Sequence, residues 1–128
     1  MIAVDTSVWV SALRAKASAE AAHLDRLLDQ DLVILPIPVK VELLSGASKH
    51  TLPRLAKLLS GLPVLEPDPA TWRLVLKWTE DSIGKSHRFG FGDLLIGATA
   101  EEAGARIWSL DDAFKRMEEL GFLTTYRP

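Results

Sequence analysis

Short apolar runs alternate along the chain with segments whose apolar residues recur at helical spacing, so the hydrophobic period changes from element to element. Ile2 to Val4 form a brief β-like run that stops at Asp5-Thr6-Ser7, where Thr6 or Ser7 can cap a helix through Trp9, Val10 and Leu13. Ala21, Leu24, Leu27 and Leu28 keep helical spacing, and Leu32 to Leu35 predict a second strand. Pro36 and Pro38 stop that strand and start a helix carrying Val41, Glu42, Leu43 and Leu44 as far as Gly46. Leu52, Leu55, Leu58 and Leu59 share a face of the next helix, closed by Gly61, and Val64 and Leu65 are a minimal strand. After Pro67 and Pro69 comes a helix with Trp72, Val75 and Leu76, then a glycine-rich loop from Gly84 to Gly92. Asp93 to Gly104 predicts a buried helix whose Gly97, Ala98 and Ala100 permit close backbone approach. Ile107 and Trp108 predict strand four, Phe114, Met117 and Leu120 a last helix, and Phe122 to Thr124 a fifth strand.

Strands and helices in this alternation predict an α/β fold: a three-layer α/β/α sandwich around a central parallel sheet of four to five short strands. With 128 residues, no internal repeat and no linker, residues 1–128 are expected to form a single domain. A composition of 48% hydrophobic and 25% charged residues, at net charge -2, is that of a globular chain and not a disordered one. The lack of cysteine excludes a disulfide framework, a thiolate zinc site and a cysteine nucleophile, and suits a reducing compartment. Uncharged runs such as LVILPIPV and TSVWVSAL fall well short of the roughly 20 apolar residues of a membrane span. Asp5 interrupts the first apolar run too early for a secretory signal, so a cytoplasmic protein without membrane association is expected.

Asp5, Glu42, Asp93 and Asp111 are far apart in sequence, yet each falls where a strand end or a helix can hold it at one sheet edge. Open α/β sheets gather functional groups beyond the carboxyl ends of their strands, where strand order reverses. If the first and fourth strands are neighbours there, Asp5 and Asp111 emerge side by side. Packing of Leu43, Leu44, Leu94 and Leu95 can aim Glu42 and Asp93 at the same cleft. Each acid also has a plainer reading. A helix start favours Asp93, Asp111 or Asp112 can cap the AFKRMEEL helix, and Glu42 can face solvent. Asp5 is the exception, because Thr6 and Ser7 can cap unaided.

Two carboxylates about 4 Å apart repel by roughly 4 kcal/mol at an effective dielectric near 20, so a shared cleft calls for protonation or a cation. His23, His50 and His87 are scattered, and ligation by oxygen alone favours a hard ion, Mg²⁺ or Mn²⁺, over zinc. Such a site suits hydrolysis of a phosphodiester by metal-activated water.

The segments DTS at Asp5 to Ser7, ELLSG at Glu42 to Gly46 and GDLLIGATA at Gly92 to Ala100 resemble the motifs of the PIN-domain nucleases. The likeness covers essentially the whole chain and is strongest to the VapC-type toxins of toxin-antitoxin pairs. It implies magnesium-dependent endonucleolytic cleavage of RNA, with Mn²⁺ as a substitute, a homodimer, and inhibition by a VapB-type antitoxin. By the same resemblance Asp5, Asp93 and Asp111 would bind the metal, Glu42 directly or through water, with Thr6, Ser7 and Ser109 as supporting hydroxyls. The last motif departs from the family pattern of Thr, any residue, Asp or Asn, any residue, Asp and an aromatic. Here Ser109, Leu110, Asp111, Asp112, Ala113 and Phe114 stand; aligning on Phe114 selects Asp111 and leaves Asp112 as the alternative.

A mildly acidic chain steers RNA only through local basic groups. Lys85, His87 and Arg88, just before Asp93, are the first candidates for RNA contact, with an ordinary exposed loop as the alternative, and Arg14 with Lys16 is a lesser pair. Trp9 can stack a base or pack. The helix from Leu52 to Leu59, with Leu43 and Leu44, can form core or a dimer or antitoxin groove. A haloacid-dehalogenase phosphatase would need a second acid where Ser7 stands, and a receiver domain lacks its acidic pair, phosphoacceptor and late lysine. The remaining rival is a PIN-like module that binds RNA or a partner without cutting.

Overall fold

Ile2–Val4 (β1) is apolar at every position because every position is buried. A strand of alternating polarity would leave one face wet; this one lies inside a parallel sheet. The computed structural model describes residues 1–128. After β1 come α1 (Thr6–Arg14), α2 (Ala19–Asp29), β2 (Val33–Pro36), α3 (Ile37–Ser45), α4 (Leu52–Ser60) and β3 (Val64–Leu65). The chain continues through α5 (Pro69–Gly84), α6 (Phe91–Glu102), β4 (Arg106–Trp108) and α7 (Asp112–Glu119). The strands form one parallel sheet in the order β3-β2-β1-β4, flanked by the seven helices.

Ile2 pairs with Val33 on one side and Arg106 on the other, and Val4 pairs with Trp108. From β1 the chain builds outward through β2 and β3, then returns to lay β4 against the free edge of β1. Strand order therefore reverses between β1 and β4, the neighbours the sequence reading required. Their carboxyl ends carry Asp5 and Ser109, and the Asp5 amide donates to the Trp108 carbonyl at 2.9 Å.

Three expectations need correction. Phe122 to Thr124 is not a strand: the one isolated bridge in this region is made by the next residue, Thr125, with Ile107. Phe122 and Leu123 are instead buried in the core, with Phe122 stacked on Trp78 at 4.9 Å, after a turn at Gly121 with φ +79°. The helix expected from Asp93 begins at Phe91, which puts Asp93 inside its first turn. The cap of α1 is Asp5 and neither of the hydroxyl residues after it. A side chain already held by Ser7 and Ser109 is the one placed to cap.

The core is one cluster of 26 buried residues that includes Trp9, which packs and stacks on no exposed surface. Close packing is tightest at Gly97 of α6. A Cβ there would stand 3.0 Å from Leu123 Cδ2 and 3.3 Å from Trp78 Cζ3. Gly97→Ala is expected to destabilise the fold by about 1 kcal/mol in urea denaturation, overpacking outweighing the gain in helix propensity. An unchanged or raised midpoint would show that Leu123 yields freely. No helix is long and apolar enough to cross a membrane.

Candidate active site

Asp5 is buried to 3% exposure, so an ionised carboxylate here must be held by donors. Ser7 Oγ donates to its Oδ2 at 2.7 Å and Ser109 Oγ to the same oxygen at 2.8 Å. Each hydroxyl has a single hydrogen, and both are spent on Asp5, so the 3.2 Å approach of the two serine oxygens is a contact between acceptors. Their lone pairs accept from backbone: Leu110 N–H to Ser7 Oγ at 3.0 Å and Asp111 N–H to Ser109 Oγ at 2.9 Å. Two serines thereby lock β1, the start of α1 and the loop after β4 into one unit. No protein donor reaches Oδ1 of Asp5, leaving that oxygen for a cavity of about 570 Å³ lined by Asp5, Glu42, Asp93 and Asp111 together with Thr6, Ser7 and Arg14.

Asp93 reaches this cavity from the first turn of α6, where the helix dipole favours a negative charge. Gly92 before it lies against Glu42: a Cβ there would stand 4.0 Å from Glu42 Oε1. Asp111 has the backbone position of a helix cap, yet its side chain makes no capping bond. Capping therefore does not account for Asp111. None of the four acids has a Lys or Arg partner at ion-pair distance.

Glu42, Asp93 and Asp111 resist ionisation. The Asp93 carboxyl is pushed above its ordinary value chiefly by loss of water, then by the charges of Asp5 and Asp111, with Arg116 opposing weakly. Asp111 rises by partial desolvation and by Asp5. Glu42 rises by desolvation of its carboxyl, although much of the residue is exposed, and by the charges of Asp5, Asp93 and Asp111. The Thr6 hydroxyl faces Glu42 and opposes that rise without a formed hydrogen bond; Oγ1 is buried and has no partner.

As the side chains stand, no three acids converge at ligand spacing for one ion. Unneutralised carboxylates repel, and separation is the arrangement that repulsion favours. The donor set nonetheless fits a hard divalent cation: carboxylate oxygens only, a free oxygen on Asp5, and the unpartnered Thr6 hydroxyl beside Glu42.

Asp112 stands apart. It is exposed, pairs with Arg116 at 3.5 Å one turn along α7, and is absent from the acid cavity's lining. Lys85, His87 and Arg88 do not line the cavity either. His87 is parallel to the Phe89 ring at 6.1 Å, and the chain turns at Ser86 with φ +62°. The basic side chain that does line it is Arg14, from the pair ranked second by sequence. Helical spacing carried the signal: Ser7, Ser11 and Arg14 recur at four and three residues and share one face of α1.

Comparison with known proteins gives the family of the chain and relatives of its fold. The PIN domain family model matches residues 2–120. Ribonuclease VapC11 of Mycobacterium tuberculosis is 34% identical over 122 residues, covering 89% of each chain, and a VapC ribonuclease of Mycobacterium bovis matches to the same extent. Among solved structures, VapBC2 from Rickettsia felis, bound to a DNA fragment from its promoter, superposes with TM-score 0.81 at 20% identity over 98% of both chains. FitAcB from Neisseria gonorrhoeae superposes with TM-score 0.79 at 20% identity over 100% of this chain and 98% of its own. By a sequence match that runs over most of its length, this chain belongs to the PIN domain family.

Proposed function

We propose that this chain is a metal-dependent endoribonuclease, the VapC-type toxin of a toxin-antitoxin pair, which acts in the cytoplasm and hydrolyses phosphodiester bonds in RNA. The observation that carries this reading is one cavity at the strand-order reversal lined by four acids without basic partners. Relatives named as ribonucleases at 34% identity support RNA as the substrate.

Asp5, Asp93 and Asp111 would hold Mg²⁺ or Mn²⁺, with Glu42 joining directly or through water. When bound, the ion supplies positive charge that draws the phosphate in and makes water a better nucleophile. The protein does the rest. Ser7 and Ser109 hold the Asp5 side chain by Oδ2 and leave its other oxygen for the cavity. Glu42 lines the same cavity, placed to orient the attacking water. Arg14 offers the cavity its one guanidinium, placed to hold a phosphate oxygen of the strand.

The partners follow the same reading. A groove of about 620 Å³ adjoins the acids, sharing Val10, Arg14 and Glu42, and is lined by Leu13, Leu55 and Leu58 with the cations Lys16 and Arg54. It suits a segment of a VapB-type antitoxin that would cover the site. Trp72, Leu76 and Phe91 are 43%, 65% and 65% exposed, with Trp72 and Phe91 stacked at 6.0 Å, and support a second copy as the partner there.

Purified protein free of antitoxin is expected to cleave a structured RNA with Mg²⁺ or Mn²⁺ and not with EDTA. Binding without cleavage in either metal would favour the non-catalytic module instead. The same assay separates the two neighbouring aspartates: Asp111→Asn should lose roughly 100-fold or more in rate, about 2.7 kcal/mol. Asp112→Asn, which removes only an exposed pair worth under about 1 kcal/mol, should stay within about twofold of the parent. The opposite ranking would give the fourth ligand to Asp112.

A further inference from the structure

Beyond the acid cavity, the loop Ser109-Leu110 forms the wall of a second hollow, about 480 Å³, between α2 and the segment after α7. His23, Arg26 and Tyr126 meet in it, and their hydrogen bonds determine where each proton lies. Arg26 Nη2 approaches His23 Nδ1 at 3.0 Å. A guanidinium can only donate, so Nδ1 accepts and bears no hydrogen. The ring hydrogen then sits on Nε2, which donates to the Tyr126 hydroxyl at 2.7 Å. The hydroxyl's own hydrogen is left over, and no protein acceptor takes it.

The surroundings hold this arrangement still. The Tyr126 amide donates to the Ile107 carbonyl at 2.7 Å, and Glu118 accepts from the Thr125 amide and hydroxyl at 2.6 and 2.9 Å. Arg106 lies over the Tyr126 ring at 5.0 Å, and neither it nor Arg26 has an acidic partner. Glu20 supplies an acidic side chain to the hollow, Pro128 also lines it, and Arg127 there is already paired with Glu118. What remains unspent in the hollow is the Tyr126 hydrogen and most of the Arg26 guanidinium.

We propose that Tyr126 and Arg26, oriented by His23, form a subsite for a phosphate of the RNA strand flanking the bond that is cut. It rests on the reading of RNA as substrate and extends it along one direction from the acids. Continuity favours RNA over a free phosphate: Ser109, in the wall of this hollow, donates to Asp5 in the other cavity.

The test is fluorescence anisotropy with a labelled single-stranded RNA, in an Asp93→Asn background so that the probe survives, across a salt series. Arg26→Ala is expected to weaken binding about tenfold and to lower the slope of log affinity against log salt by about one phosphate contact. Tyr126→Phe keeps the ring packing and removes a neutral donor, so it should weaken binding about threefold and leave the slope unchanged. Inorganic phosphate, titrated as a competitor, should displace the RNA only weakly and equally in parent and variants. Parent affinity and slope in both variants would overturn the subsite. Competition by millimolar phosphate that disappears in Arg26→Ala would assign the site to free phosphate and overturn it as an RNA subsite. With Asp93 restored, both variants should raise KM for long RNA and keep kcat. If the parent fails to cut while Arg26→Ala still weakens binding, the nuclease reading falls and the subsite stands.

Discussion

Asp93→Asn is expected to slow RNA cleavage roughly 1,000-fold or more, about 4 kcal/mol of lost transition-state stabilisation, and in the same protein to raise the melting temperature measured in EDTA. The two effects have one cause. Asp93 is half-buried, has no hydrogen-bond donor and no ion-pair partner, and is pushed toward its neutral form by desolvation and by Asp5 and Asp111. Its charge therefore works against folding at neutral pH, and an amide of the same shape removes that cost. Structural carboxylates behave in the opposite way. Glu118, which accepts from Thr125 and Arg127, is held below its ordinary value, and Glu118→Gln should lower stability without touching cleavage. Cleavage at the parent rate by Asp93→Asn, or a lower melting temperature in EDTA, would remove Asp93 from the site.

The fold was legible because each element carries its own local signal. Proline at Pro36 and Pro38 ends one element and opens the next, whereas the β1-β4 adjacency was a condition of the sequence reading that the sheet order meets. What the pattern missed was decided by tertiary contacts. Phe122 to Thr124 has the residues of a strand, but Phe122 gains more by stacking on Trp78 than by extending the sheet, and the one bridge forms at the next residue, Thr125. The cap of α1 went to Asp5 because Ser7 and Ser109 already hold its carboxylate in place.

The acids drew notice for a different reason: local structure leaves part of each unexplained. Asp111 sits at a helix cap position without capping, and Asp5 caps α1 and is buried, yet keeps an oxygen that no protein donor reaches. The choice between Asp111 and Asp112 lay beyond the sequence, since either can precede α7; the partner of Asp112, Arg116, lies one turn on. The basic residues were harder still. Lys85, His87 and Arg88 are close to Asp93 in sequence, whereas Arg14 reaches the cavity through helix periodicity from Ser7. The His23-Tyr126 bond spans 103 positions, and nothing local announces it.

Divalent ions are expected to stabilise the protein by an amount that grows with pH. Glu42, Asp93 and Asp111 all have folded-state affinities for protons above the ordinary values of 4.5 for glutamate and 3.8 for aspartate. A carboxyl raised in the folded state binds protons more tightly there than in the unfolded chain. In EDTA these groups therefore lower stability as pH climbs from about 4 through their raised range. Mg²⁺ or Mn²⁺ competes with protons for the same oxygens, so it should add little near pH 4.5 and most near pH 8. At 100 times its dissociation constant an ion adds about 2.7 kcal/mol, which for a chain of this size is a shift of roughly 8 °C. Asp68 and Glu118, whose values are lowered by bonds from Thr71 and Thr125, lose stability as pH falls instead. Neither lines the acid cavity, so the difference between melts with and without the ion cancels them at every pH. Glu42→Gln and Asp93→Asn should each begin higher in EDTA and gain less from the ion. A gain that is constant with pH, or one that shrinks as pH rises, would mean that the ion binds elsewhere than among these carboxylates.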